Sequence, residues 1–324
     1  MTKAIRINAH GGPDVLSWEE VDLPRPGPGQ VGLRHTAIGL NYIDIYHRSG
    51  LYPLPLPSGL GLEAAGVIEA VGDGVTGFSV GDRVCYGNGP IGAYAEARIL
   101  PAATLLKIPA AISDTQAAAM MLQGMTAQYL VRRTFPVEPG MSVLVHAAAG
   151  GVGLILCQWL NHLGANVIGT VGTDAKASIA QAHGCHNPIV TSRQDFVTRV
   201  KALTGGKGVA VVYDGVGKDV FLPSLDCLAP RGMMVTFGNA SGPVPPFDPL
   251  LLSQKGSLFL TRPTLFHYTS TRPELEATAQ ELFDLVQSGV ITIKVHQTYA
   301  LEDAAQAHMD LESRKTTGSS VLVP

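Results

Sequence analysis

Charge is scarce in this chain. Asp, Glu, Lys and Arg make up 15% of its 324 residues, and the formal net charge is −3. A nucleic-acid face or a grip on anionic lipid needs dense positive charge, and so little cannot supply it. Cysteine is sparse too. Cys85, Cys157, Cys185 and Cys227 are scattered with no CxxC among them, so no zinc knuckle or local redox pair is encoded. Free thiols in a reducing cytoplasm are expected. The ten histidines contain no HxxxH, and His183 and His186 fall where a helix gives way to a strand, as exposed polar residues. No uncharged apolar run is long enough to span a bilayer, and "MTKAIRINAHGG" lacks an apolar signal core, so neither a span nor a secretory signal is expected. Long polar tracts are missing, which argues against disorder. What is present is 46% apolar residues, enough for a large core and two domains.

The first third reads as strands broken by turns. "KAIRIN", "VLSWEEV", "QVGLRHTAIGL", "EAAGVIEAVG", "GDRVCY" and "AYAEARIL" are the candidates, with "HGGPD" and "PRPGPG" between the first of them. Ser113 is expected to cap a helix running through "SDTQAAAMMLQGMTAQYLVRRT". The middle then alternates. Strands are expected at 143–146, 166–171, 188–191, 209–214 and 233–237, and helices at 151–162, 175–183, 195–203 and 218–228. Such alternation implies right-handed crossovers and a doubly wound parallel sheet. The tail, with "GSLFLTRP", two amphipathic helices and "SSVLVP", resembles the first third. A nucleotide domain, 123–260, is therefore expected inside a discontinuous β-rich domain made of 1–122 and 261–324.

The phosphate question centres on "VLVHAAAGGVGLILCQWL". A loop that holds a diphosphate needs backbone N–H groups aimed at the anion, no Cβ where it approaches, and a helix start behind. Gly150, Gly151 and Gly153 offer this between a strand and a helix, although the first glycine of a GxGxxG register is replaced by Ala148. The second strand ends "NVIGTVGT" without the acid that would hold a ribose hydroxyl. Asp174 follows and is expected to be a helix N-cap. Gly172 and Thr173 with Lys176 nearby suit a 2′-phosphate, favouring NADPH over NADH; the alternative makes Lys176 a solvated helix residue.

With that loop placed, the chain resembles the medium-chain dehydrogenase/reductase superfamily, and within it the bacterial NADPH:quinone oxidoreductases related to zeta-crystallin. The resemblance is carried in order by "HGGPDVL", "IGLNYIDIYHRSGLYP", "LPSGLGLEAAGVIEAVG", "GDRV", "HAAAGGVGLILCQW", "VIGTVGT", "VVYDGVG", "MVTFGNASG", "QKGSLFLTRPTL" and "LESRKTTGSS". It implies an α/β architecture, a Rossmann sheet inserted in a GroES-like catalytic domain. It also implies NADPH-dependent reduction of quinones and a homodimer; "GSLFLTRP" can pair with its mate across a two-fold axis.

Zinc alcohol dehydrogenases of that superfamily place a Cys where this chain has Asn41 and a His where it has Leu62. Glu63 remains, but one carboxylate cannot replace three protein ligands, so no metal is expected. Alcohol oxidation needs a Lewis acid for the alkoxide, whereas a quinone is already a strong acceptor.

By resemblance, Asn41 lies beside the nicotinamide ribose and donates to the substrate oxygen; the alternative is a loop Asn capping its own backbone. Tyr46 and Tyr52 would wall the substrate site, with plain packing as the competing reading. Thr126 would stand beside the nicotinamide, or else be an ordinary helix residue. Gly150, Gly151 and Val152 would hold the pyrophosphate, and Gly172, Thr173, Lys176 and Thr191 the adenosine phosphate. Thr191 replaces a tyrosine of relatives and has the shorter reach. Val216, Phe237, Gly238, Asn239 and Ser241 would line the cofactor at strand ends. Leu265, Phe266 and Arg314 would also contact it, Arg314 competing with a surface helix arginine. No general acid stands out; solvent can protonate the product. Two other functions compete: NADPH-dependent reduction of α,β-unsaturated carbonyls, and a crystallin-like structural or RNA-binding role. The missing basic stripe speaks against RNA.

Overall fold

The computed structural model describes residues 1–324. Two compact units divide the chain. One comprises Met1–Met125, Thr269–Gln287 and Ile293–Pro324, and the other Thr126–Tyr268 and Ser288–Thr292. No helix is long and apolar enough to cross a membrane.

The second unit is built on a six-stranded parallel sheet. Its spatial order is Asn187–Val190, Asn166–Val171, Ser142–Val145, Val209–Asp214, Leu228–Thr236 and Phe259–Thr261. In chain order the path runs outward in one direction, returns to the middle and runs outward in the other. That reversal leaves a crevice at the carboxyl end of the Ser142–Val145 strand, where open α/β sheets take ligands. Runs such as "SVLV" and "VAVVYD" carry almost no charge, and their consecutive residues are buried, as in strands covered on both faces. Beneath them Leu144, Ile168, Val212, Phe221, Leu225 and Met234 form a closed core, each burial contributing about 1.5–3 kcal/mol.

The first unit holds two sheets. Leu16–Val21, Thr2–Ile7 and Ser58–Gly59 make the smaller, with three strands. The larger has seven strands, ordered Val295–Ala300, Ser319–Val323, Gln30–Leu40, Ala64–Val71, Arg83–Tyr86 and Leu106–Lys107, with Ala97–Pro101 paired to Gln30–Leu40. Gln30–Leu40 is its spine, 11 residues long, and bulges at Gly32/Leu33 and His35/Ala37 let it serve several partners. Ile5, Ile7, Leu33, Ile38, Tyr86 and Tyr94 pack its core.

Three expectations need correction. The helix expected from Ser113 onward is broken: Asp114–Ala118 and Met121–Tyr129 are separate, and Leu130–Thr134 winds as a π-helix. Ser113 does cap the first piece, accepting Gln116 N–H at 3.2 Å. The first break, at Ala119–Met120, creates a new helix start whose N–H groups are used by a distant carboxylate, described below. The helix expected at 218–228 shrinks to Phe221–Leu225, because Gly217, at φ +86°, turns the chain first and strand Leu228–Thr236 begins early. Asp174 is not the N-cap of its helix. Thr173 has the extended backbone of a cap and its Oγ1 accepts Lys176 N–H at 3.3 Å, so Asp174 is the first helical residue.

Candidate active site

After strand Ser142–Val145 the chain turns through Ala147, which sits at φ +51°. Ala148 N–H returns to Thr170 O at 3.0 Å, and Gly150 N–H to Ala147 O at 2.8 Å. Gly150 then caps the helix Gly151–His162, accepting Leu154 N–H at 2.9 Å. The first-turn N–H groups of Gly151, Val152 and Gly153 have no intrahelical acceptor, and the positive end of the helix dipole lies with them. Gly153 allows the close packing: a Cβ there would stand 2.2 Å from Ala147 O. A Cβ on Gly172, at the next strand end, would meet nothing within 4 Å.

His146 locks this rim from below. It is buried, and burial pushes its pKa down to about 3, so the ring is neutral. Ser224 Oγ spends its proton on Val220 O at 2.6 Å, so it accepts from His146 Nε2–H at 2.7 Å. Nδ1 then accepts from Thr170 Oγ1 at 2.8 Å. Two strand ends and the Phe221–Leu225 helix are thereby tied together.

Beside Gly172 and Thr173, Asp174 is ion-paired with Arg193. Lys176 lies in the first turn of the same helix. Thr191 spends its hydroxyl proton on Val171 O at 3.2 Å and offers an incoming group lone pairs only. Further along, buried Asp214 accepts Val216 N–H at 2.8 Å and Gly217 N–H at 2.9 Å through Oδ1. Burial pushes its pKa up to about 6 against those donors and the nearby Arg262 charge. Ser241 bonds Val216 through both N–H, at 2.8 Å, and Oγ, at 2.9 Å. Arg262 pins Gly238 O and Thr236 Oγ1, each at 3.0 Å. Val216 and the 237–241 loop thus form one braced rim. Leu265 is buried and Phe266 is 47% exposed in the short helix Leu265–Tyr268; Thr126 is buried in Met121–Tyr129.

In the first unit, Asn41 follows the spine strand and starts the helix Tyr42–Ser49. Its side chain is gripped from two sides. Nδ2 donates to Glu63 Oε2 at 2.7 Å, and Oδ1 accepts from Gln123 Nε2 at 3.1 Å. Gln123 in turn accepts from Ser319 Oγ at 2.8 Å. Glu63 Oε1 takes Leu122 N–H at 2.7 Å, capping the broken helix at its new start. Burial pushes the Glu63 carboxyl up to about 8, while Asn41, Leu122 and Met121 donate to it and pull it down. The Asn41 backbone N–H donates to Asp44 Oδ2 at 2.9 Å, which also takes Tyr94 O–H at 3.0 Å. Burial raises Asp44 to about 7. Tyr46 is buried and meets the half-buried Tyr52 edge-on, centroids 5.1 Å apart. Arg314 lies past the helix Ala304–Glu312, in left-handed backbone at φ +58°.

Sequence reasoning missed Glu63, Gln123 and Ser319 as partners of Asn41, and Asp214 and Arg262 as braces. The Asn41 partners are 22 and 82 residues away, and no local pattern announces such closures. The donor set also does not fit a catalytic zinc. Leu62 has no donor atom, both polar atoms of Asn41 are engaged, and no group of three or more His, Cys, Asp or Glu can hold an ion.

Comparison with known proteins agrees with this architecture. Residues 27–110 match the "Alcohol dehydrogenase GroES-like domain" family and residues 151–288 the "Zinc-binding dehydrogenase" family. The chain is 53% identical to a quinone oxidoreductase of Pseudomonas aeruginosa, covering 100% of both chains. It is 51% identical to a 2-haloacrylate reductase of a Burkholderia species, over 100% of this chain and 99% of the other. The structure of Escherichia coli quinone oxidoreductase complexed with NADPH superposes with a TM-score of 0.98 at 50% identity, over 99% of this chain and 100% of that one. The chain belongs to the quinone oxidoreductases of the medium-chain dehydrogenase/reductase family.

Proposed function

We propose that this protein reduces quinones with NADPH and without a metal ion. The observation that carries the reading is the Asn41 amide: a buried hydrogen-bond donor, not a metal ligand, with one Nδ2–H beyond the bond to Glu63. NADPH supplies the reducing equivalents. Gly150, Gly151 and Val152 hold its pyrophosphate through backbone N–H groups, which needs the bare glycine surface and the helix start. Gly172, Thr173 and Lys176 receive the adenosine 2′-phosphate, and Thr191 joins them once its hydroxyl turns from Val171 O to donate to it. Val216, Phe237, Gly238, Asn239, Ser241, Thr126, Leu265, Phe266 and Arg314 complete the cofactor contacts. Asn41 donates to the quinone oxygen as negative charge builds there, the kind of preorganised donor worth roughly 100–1,000-fold in rate. Tyr46 and Tyr52 supply aromatic walls. Solvent protonates the product.

A second reading, reduction of activated double bonds next to a carbonyl or carboxyl group, is favoured by the 51% identity to a 2-haloacrylate reductase. The same donor serves both, because either substrate gathers charge on oxygen. NADPH oxidation against a panel of quinones and enones separates them: quinone turnover exceeding enone turnover supports the first, the reverse the second.

The protein is proposed to act in the cytoplasm as a homodimer. Phe259, 56% exposed on the edge strand Phe259–Thr261, supports self-association. Light scattering that gives only monomer mass overturns the dimer.

A further inference from the structure

We infer that Glu63 and Gln123 are positioning residues that fix which way the Asn41 amide faces, and so which atom it presents to substrate. The inference rests on Asn41 being the donor proposed above.

An amide can be turned over at little cost unless its neighbours forbid it. Here they do. Both oxygens of Glu63 meet donors: Oε2 faces Asn41 Nδ2 at 2.7 Å, and Oε1 faces Leu122 N–H at 2.7 Å. Once ionised, Glu63 has only acceptors to offer, so the variants are compared at about pH 9, above its folded value of about 8. Turning Asn41 over would set Oδ1 against Glu63 Oε2 and Nδ2 against Gln123 Nε2. Gln123 can turn in response, since Ser319 Oγ both donates and accepts; Glu63 cannot, having two oxygens. Glu63 is therefore the fixed reference and Gln123 the second grip. The carboxylate has a place made for it: a Cβ on Gly39 would stand 2.3 Å from Glu63 Oε2 and 2.3 Å from Ala118 O. In the resulting orientation one Nδ2–H is committed to Glu63 and the other remains for a substrate oxygen.

The test compares wild type with Asn41→Ala, Glu63→Gln and the exchanged pair Glu63→Gln/Gln123→Glu. The readouts are kcat and KM for p-benzoquinone, NADPH affinity from nucleotide fluorescence, and Tm. In Glu63→Gln one oxygen becomes a donor, and the amide can turn over to meet it. The exchange carries the carboxylate to the other side, so every hydrogen bond is matched again with Asn41 reversed. Glu63→Gln is expected to lose at least tenfold in kcat, with KM and NADPH affinity within about threefold, about what one misplaced donor costs. The exchanged pair is expected to regain Tm without regaining kcat. A folded Glu63→Gln with wild-type kcat, or an exchanged pair that regains kcat together with Tm, overturns the inference. If Asn41→Ala keeps wild-type kcat, the donor role itself falls; if it loses kcat while Glu63→Gln does not, only the positioning role falls.

Discussion

Arg48 Nη1 donates to His308 Nδ1 across 3.1 Å inside the first unit. A guanidinium has no lone pair to offer, so this contact fixes the tautomer: Nδ1 is bare and Nε2 carries the proton. His308 is neutral, because burial and the Arg48 charge push its pKa down to about 3. Nε2–H then donates to Tyr94 Oη at 3.1 Å, Tyr94 donates to Asp44, and Asp44 takes the Asn41 N–H. Every bond in the chain points toward Asp44. The other end of Arg48 pairs with Glu312 at 2.7 Å and bonds Gly11 O. A buried run of polar groups thus fastens the backbone of Asn41, while Glu63 and Gln123 fasten its side chain.

Arg48→Leu removes the start of that run. It leaves His308 Nδ1 and Gly11 O without their donor, and unmet buried polar groups are costly. The expected loss is roughly 2–4 kcal/mol in urea unfolding, with m unchanged.

Stability should depend on pH through Glu63. Its carboxyl is raised from 4.5 to about 8 in the folded protein, so the folded state holds the proton more tightly than the unfolded chain. The stabilisation from that proton is complete below the unfolded value and is lost as pH rises toward the folded one. Glu63→Gln cannot titrate. The Tm advantage of wild type over Glu63→Gln is therefore expected to shrink between about pH 5 and about pH 9. A constant difference across that range contradicts the assignment.

Gly153 tests the glycine loop apart from chemistry. A methyl at that position meets Ala147 O at 2.2 Å and the Ala148 backbone at 2.9 Å. Backbone cannot swing aside as a flexible side chain does, so Gly153→Ala forces helix and loop apart, at about 1–3 kcal/mol. NADPH affinity, followed by fluorescence titration, is expected to fall with stability.

Much of this was legible because the signals are local. Strand, glycine turn and helix around Gly150 lie within one stretch, and the observed helix has the expected limits, 151–162. What stayed hidden depends on chain segments meeting. The break at Ala119–Met120 lies in a run of good helix formers, and propensity alone gives no reason for it; the distant Glu63 carboxylate meets the new helix start. Asp174 reads as a better cap than Thr173 on local preference, yet the backbone turns one residue earlier and Arg193 takes the carboxylate. The Asn41 cluster draws on four separated segments, so only its family resemblance pointed there.

Lys176 and Arg193 bear on coenzyme choice. Both are positive and adjoin the helix that starts after Thr173, and Arg193 also neutralises Asp174. Lys176→Ala is expected to weaken NADPH roughly fivefold to tenfold, the scale of one exposed charge contact to a phosphate, and to leave NADH nearly unchanged. Arg193→Ala frees Asp174 and should shift the NADPH/NADH affinity ratio the same way. Equal loss for both coenzymes would remove these residues from 2′-phosphate recognition.

The most direct test of the whole account is NADPH-dependent reduction of p-benzoquinone by protein dialysed against a strong chelator. Turnover at the rate of untreated protein is the expected result. No turnover with a quinone, or activity that disappears on chelation and returns with zinc, would contradict it.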